Sequence, residues 1–239
     1  MKIIEKISAK ANNFKNQHQP VIAFLGDSVT QGCFECYEKE KDRFETVFDQ
    51  EEAYSNKVKK ILSVLYPSAN VNIINAGVSG TTAERGLANL DEEVLRFKPD
   101  LTVVCYGLND AGLKEKGIER YESDLREIFR RCKESGSEVI FMTPNLYADR
   151  VVPQVMTGSF ENAARDVVAN SEWLDKYLCV AKRVVEEEKV VLCDCNKIWK
   201  QLKDNGADIT MLLSNYVNHP KRELTWMFAY ELVKVMLFS

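Results

Sequence analysis

Apolar residues follow two alternating patterns along the chain. Short runs dense in Val, Ile, Leu and Phe fall at Val21–Leu25, Val71–Asn75, Leu101–Tyr106, Glu138–Thr143 and Lys189–Cys193, bounded by Gly, Pro, Asn or Asp. They are near-continuous rather than strictly alternating, as expected of parallel strands covered on both faces. Between them, apolar residues recur at helical spacing. Ala53–Tyr66 carries Val58, Ile61, Leu62 and Leu65 before Pro67, and Ala83–Phe97 carries Leu87, Leu90, Val94 and Leu95 before Pro99. Ile118–Lys133 aligns Ile118, Tyr121, Leu125, Ile128, Phe129 and Cys132 on one face, and Ser171–Glu188 and Arg222–Phe238 complete the set. Strands alternating with helices over short connections predict right-handed crossovers and an α/β fold: three α/β/α layers around a five-stranded parallel sheet. Two stretches, Gln31–Glu51 and Pro144–Asn170, break the rhythm. Each follows a predicted strand and so lies over the carboxyl edge of the sheet, where loops that shape a substrate site belong.

The 239 residues are read as a single domain, 1–239, with the 45% hydrophobic and 28% charged content of an ordinary globular protein. A net charge of −4 offers no basic footprint for nucleic acid, and no apolar run approaches the roughly 20 residues that span a bilayer. The start, Met1-Lys2-Ile3-Ile4-Glu5-Lys6, lacks the apolar core of a signal peptide, so a cytoplasmic location without membrane partners is expected. Reduced thiols are then the default for the seven cysteines. Cys33-Phe34-Glu35-Cys36 and Cys193-Asp194-Cys195 stand out, but the chain has only two histidines and no second CxxC to complete a zinc site. Neither metal nor organic cofactor is expected.

No nucleophile elbow, Walker A loop, dinucleotide fingerprint or HExxH is present. Four short clusters remain: Gly26-Asp27-Ser28, Asn75-Ala76-Gly77-Val78-Ser79-Gly80, Gly107-Leu108-Asn109-Asp110 and Asn218-His219-Pro220. The first three follow predicted strands, the fourth precedes the last helix, and a parallel sheet brings all four to one edge. Serine hydrolysis needs a hydroxyl, an imidazole to take its proton, and donors aimed at the oxyanion. Ser28, His219, the amides of Ser28 and Gly77 and the side chain of Asn109 would supply them. Asp27 is expected to face away and bond to backbone or a neighbouring loop, and Asp110 to be structural. Ser79 is the rival nucleophile, and His18, in a polar segment, is expected in solvent.

In these blocks the chain resembles the SGNH hydrolases, or GDSL-type esterases and lipases, whose four blocks match Gly26-Asp27-Ser28, Gly77, Gly107-x-Asn109-Asp110 and His219-Pro220 in order. The resemblance runs from about residue 21 to the C-terminus. It implies a flavodoxin-like sheet, Ser28 as nucleophile, His219 as general base, and Gly77 and Asn109 as oxyanion donors. One position departs. The family usually places an aspartate three residues before the histidine to orient it; here that residue is Tyr216, and no carboxylate lies between Asp208 and His219. Damage to that carboxylate in serine proteases costs about 10⁴-fold in turnover. Substitutes are a backbone carbonyl near Asn215 or Tyr216, the Asn215 side chain, or Asp208 folded back. The expected activity is a serine esterase for small or medium acyl esters, with an acetylated carbohydrate as the substrate class. The alternatives are a thioesterase or lysophospholipase, and a non-catalytic carbohydrate-binding domain, which the Tyr216 departure would favour.

Overall fold

The computed structural model describes residues 1–40, 43–155 and 158–239. In chain order its elements are α1 (Lys2–Asn12), β1 (Val21–Gly26), α2 (Ser28–Gln31), β2 (Cys33–Glu40), β3 (Arg43–Phe48), α3 (Tyr54–Leu65), β4 (Asn72–Gly77), α4 (Ala83–Ala88), α5 (Leu90–Glu93), β5 (Leu101–Cys105), α6 (Leu108–Ala111), α7 (Ile118–Glu134), β6 (Glu138–Met142), α8 (Gly158–Ala169), α9 (Glu172–Glu187), β7 (Val191–Cys193), α10 (Cys195–Asp204) and α11 (Thr225–Phe238).

Five strands form one parallel sheet in the order β4-β1-β5-β6-β7. Numbered by their own succession, that order is 2-1-3-4-5, the doubly wound arrangement of flavodoxin-like folds. Ile22, Ala23 and Phe24 of β1 and all of β5 are buried, which explains their apolar character, broken only by Thr102 in β5, whose hydroxyl pairs with Ser137 at 2.9 Å. Helices α1, α3, α10 and α11 pack together on one face, and α4, α7 and α9 on the other. Connections reverse direction between β1 and β5, and in such sheets the crevice at that switch point is where ligands bind.

Several elements were not expected from the pattern. Helix α1 buries Ile3 and Ile7, one turn apart, and its first amides are capped from afar: the Glu138 carboxylate accepts from Lys2 N at 3.0 Å and Ile3 N at 2.7 Å. Helix α10 starts at Cys195, capped by the Asp194 side chain, and buries Trp199. The single helix expected over Ala83–Phe97 is instead α4, α5 and a 3₁₀ turn at Leu95–Phe97, with the break at Asn89. Gly86 in α4 already weakens helix propensity, and it sits against the Tyr106 ring, where a Cβ would lie 2.3 Å from the phenol oxygen.

The two irregular stretches also have structure. Gln31–Glu51 contains the antiparallel hairpin β2–β3, and Pro144–Asn170 contains α8. Residues 41, 42, 156 and 157 within them lie outside the described residues. Phe44 of β3 and Phe160 of α8 pack with ring centroids 5.3 Å apart, so the two insertions meet.

Candidate active site

Strand β1 ends at Gly26 and the chain turns at once into α2, a single helical turn that begins with Ser28. Asp27 is its N-cap, accepting the Val29 N–H at 3.0 Å. The Ser28 amide belongs to the first turn, where an N–H has no acceptor within the helix. Close approach makes this turn possible. A Cβ on Gly26 would lie 2.7 Å from the Cys105 carbonyl oxygen, and one on Gly77, at the end of β4, would lie 2.3 Å from Gln31 N. Both glycines therefore let α2 sit directly on the strand ends.

His219 arrives on a closed loop. Leu213 and Pro220 form a bridge, and Ser214 N donates to the His219 carbonyl at 2.7 Å. The buried Asn215 side-chain oxygen accepts three backbone amides, from Val217 at 3.0 Å and from Asn218 and His219 at 2.9 Å each. Asn145, fully buried after β6, donates to the Asn218 carbonyl at 2.8 Å. The imidazole is only 5% exposed.

Its two nitrogens have distinct partners. His219 Nε2 lies 3.0 Å from Ser28 Oγ, and Nδ1 lies 2.8 Å from the Phe34 carbonyl oxygen. A carbonyl only accepts, so Nδ1 carries the hydrogen and Nε2 is left to accept the serine hydroxyl. That separation suits a nucleophile and its base. Burial pushes the imidazole pKa below 6.5, opposed by the Phe34 carbonyl and the Glu35 carboxylate, so the ring is neutral at neutral pH.

The family's sequence model, described as GDSL-like lipase/acylhydrolase, matches residues 24–223, an interval that contains this serine, this histidine and the loops between them. The chain belongs to that family.

Among its relatives, an acetylxylan esterase of Geobacillus stearothermophilus is 26% identical over 190 residues, covering 76% of this chain and 78% of that protein. An arylesterase of Vibrio mimicus is 32% identical over 95 residues, 37% of this chain and 47% of that one. A crystal structure of an acetylxylan esterase from G. stearothermophilus superimposes with a TM-score of 0.69 at 21% identity, over 92% of this chain and 95% of that one, which bears on the fold.

The other residues singled out in the family's blocks are arranged as follows. The Gly77 amide is held by the Asn75 side-chain oxygen at 3.0 Å, and Asn75 in turn donates to the Thr30 carbonyl at 2.9 Å. Asn109 gives one amide hydrogen to the Thr81 carbonyl at 2.8 Å, which leaves its second free to donate. Gly107 takes φ 140°, a conformation that favours glycine, as β5 turns into α6. Buried Asp110 accepts from Gly107 N at 3.0 Å and Ala83 N at 2.9 Å, joining the Asn109 turn to α4. Burial raises the carboxyl pKa of Asp27 to about 7, with the Asp110 charge adding to the rise, and that of Asp110 to about 6, with the Asp124 charge adding to it. Exposed Ser79 donates its amide to Gln31 Oε1 at 2.7 Å, while His219 Nε2 meets Ser28; His18 is exposed.

The three candidates for orienting His219 are corrected by this geometry. Asp208 forms a fork with Arg150, at 2.8 and 2.5 Å, on the surface. Tyr216 adopts φ 57° and packs into a small apolar cluster with Val152, Val155 and Val217. Asn215 shapes the main chain of the loop and not the ring. The orienting group is a backbone carbonyl, but it comes from β2, at Phe34, inside the Cys33–Cys36 stretch. Cys36 Sγ lies 4.0 Å from the same Nδ1. Residue type cannot reveal such a carbonyl, since every residue carries one. Asn145 and Asn75 were likewise missed as supports, though Asn75 stood in a noted cluster.

Proposed function

We propose that this family member is a serine esterase in which Ser28 and His219 carry the chemistry and the Phe34 carbonyl stands in for the missing aspartate. The 3.0 Å contact between Ser28 Oγ and His219 Nε2, with Nδ1 anchored on a carbonyl, carries the reading. Ser28 Oγ attacks the ester carbonyl carbon as its proton passes to Nε2. The oxyanion is met by the Ser28 amide, the free hydrogen of the Asn109 side chain, and the Gly77 amide, which must then share or leave Asn75. The imidazolium returns the proton to the departing alcohol, leaving an acyl-Ser28, and water repeats the sequence to release the acid. A neutral carbonyl stabilises the imidazolium less than a carboxylate would. It nevertheless holds the correct tautomer, whose loss accounts for the about 10⁴-fold defect of the asparagine substitution in serine proteases.

The acyl group in this proposal is small and the alcohol a carbohydrate hydroxyl, so that the ester is an acetylated carbohydrate, on the strength of the acetylxylan esterase relative that aligns over most of the chain. The non-catalytic alternative drew its support from the Tyr216 departure, and an alternative acceptor for Nδ1 weakens that support. Hydrolysis of p-nitrophenyl esters of rising chain length, followed by acetate release from acetylated xylo-oligosaccharides, tests the substrate. Turnover should be highest with the acetyl ester, and acetate should be released. Turnover that climbs with chain length, with no acetate from the sugar, would refute the carbohydrate assignment.

A further inference from the structure

The Phe34–His219 hydrogen bond joins two segments far apart in sequence, and a residue that none of the family's blocks includes, three positions after His219, reaches back to grip the Phe34 end. The Arg222 guanidinium lies over the Phe34 ring, 4.3 Å from its centroid. It also binds two carboxylates of the hairpin: Glu35, the next residue of β2, at 2.5 Å and Asp49, just beyond β3, at 3.1 Å. Its main chain is held as firmly. The Arg222 carbonyl accepts from Thr225 Oγ1 at 2.8 Å and from the buried Lys57 ammonium, which itself pairs with Glu52 at 2.9 Å. Arg222 therefore fixes the hairpin with its side chain and is itself fixed to α3, three residues after His219.

We propose that Arg222 is a positioning residue for the esterase reaction: its guanidinium holds the Phe34 carbonyl against His219 Nδ1 and so keeps Nε2 aimed at Ser28. The proposal rests on the reading of Ser28 and His219 as the reacting pair. The arginine's planar fork matters here, because it stacks on a ring while binding two carboxylates, which a lysine ammonium cannot do. A shift of the carbonyl by about 1 Å would cost on the order of 100-fold in turnover without altering where the substrate rests.

The test compares wild type, Arg222→Gln and Arg222→Lys by kcat and KM for p-nitrophenyl acetate, by the rate of fluorophosphonate labelling, and by Tm. Arg222→Gln should lose about 100-fold in kcat and in labelling rate with KM nearly unchanged. Arg222→Lys should recover only part of the loss, and free guanidinium at millimolar concentration should speed labelling of Arg222→Gln. A folded Arg222→Gln that labels as fast as wild type, or changes KM alone, would overturn the proposal, as would full recovery in Arg222→Lys. If Arg222→Gln does not fold, Glu35→Gln combined with Asp49→Asn removes the same grip from the other side and should lower kcat at constant KM; unchanged kcat would count against it. Failure of wild type itself to label would instead sink the serine-esterase reading, so the two failures are distinguishable.

Discussion

Adding a single methyl group at Gly77 tests whether the close seating of α2 matters for the chemistry. A Cβ there would stand 2.3 Å from Gln31 N, 2.7 Å from Thr30 C and 2.8 Å from Gln31 Cα. These are main-chain atoms, so no rotamer change relieves the overlap. Reaching an ordinary contact of 3.4 Å requires α2 to lift by about 1.1 Å from the end of β4. Ser28 opens that turn and would move with it. Overpacking of this kind costs about 1–3 kcal/mol, roughly 2–4 °C of Tm per kcal/mol in a chain of this size. A displacement of about 1 Å at the nucleophile costs on the order of 100-fold in kcat. Gly77→Ala should therefore combine a modest fall in Tm with a disproportionate fall in kcat for p-nitrophenyl acetate. Gly136→Ala is the control. Gly136 has φ 90° with nothing within 4 Å of a Cβ and lies just before β6, so its substitution should lower Tm through backbone strain and leave kcat intact. A Gly77→Ala protein with wild-type kcat, or a Gly136→Ala protein equally impaired, would refute the reasoning.

Two pH-dependent predictions follow from burial. Because burial lowers the His219 pKa, the acidic limb of kcat/KM should have its midpoint below 6.5, activity being lost as the imidazole takes up a proton. Cys36→Asp would set a carboxylate beside Nδ1, where Sγ now lies at 4.0 Å, and should move that limb to higher pH; a wild-type midpoint above 6.5, or a limb unmoved in the variant, would contradict the assignment. Asp27, with its pKa raised from 3.8 to about 7, binds its proton more tightly folded than unfolded, so its contribution to stability falls as pH rises from about 4 to 7. Asp27→Asn keeps the cap to Val29 and removes the titration; its Tm relative to wild type should rise by several degrees over that interval, and a constant difference would exclude an ionising buried Asp27.

How legible each part was depended on what kind of information it required. The central strands β1 and β5 could be read because they are buried almost throughout, which leaves them apolar apart from Thr102, while the less covered β4 and β7 still carry short runs of Ile, Val or Leu. The meeting of Ser28 and His219 could be anticipated because serine hydrolysis would need those side chains together, and because three clusters follow strands of one parallel sheet. Helix α1 escaped notice because its two buried isoleucines sit in a segment otherwise rich in lysine, and its cap is supplied by Glu138, over a hundred residues away. The hairpin β2–β3 carries glutamate, lysine and arginine on a half-exposed ribbon, so no apolar alternation announced it. Above all, the acceptor for Nδ1 is a main-chain atom, and no residue type marks the position that will supply one. The search near His219 in sequence therefore pointed to a backbone carbonyl near Asn215 or Tyr216, the Asn215 side chain or Asp208, when the carbonyl that serves lay 185 residues upstream.

The most direct test of the account is fluorophosphonate labelling of the folded protein at neutral pH, followed by peptide mapping. A single adduct is predicted on the peptide containing Ser28, absent in Ser28→Ala and formed far more slowly in His219→Ala. A folded protein that takes no label, or one that carries its adduct on Ser79 and still labels as Ser28→Ala, would contradict it.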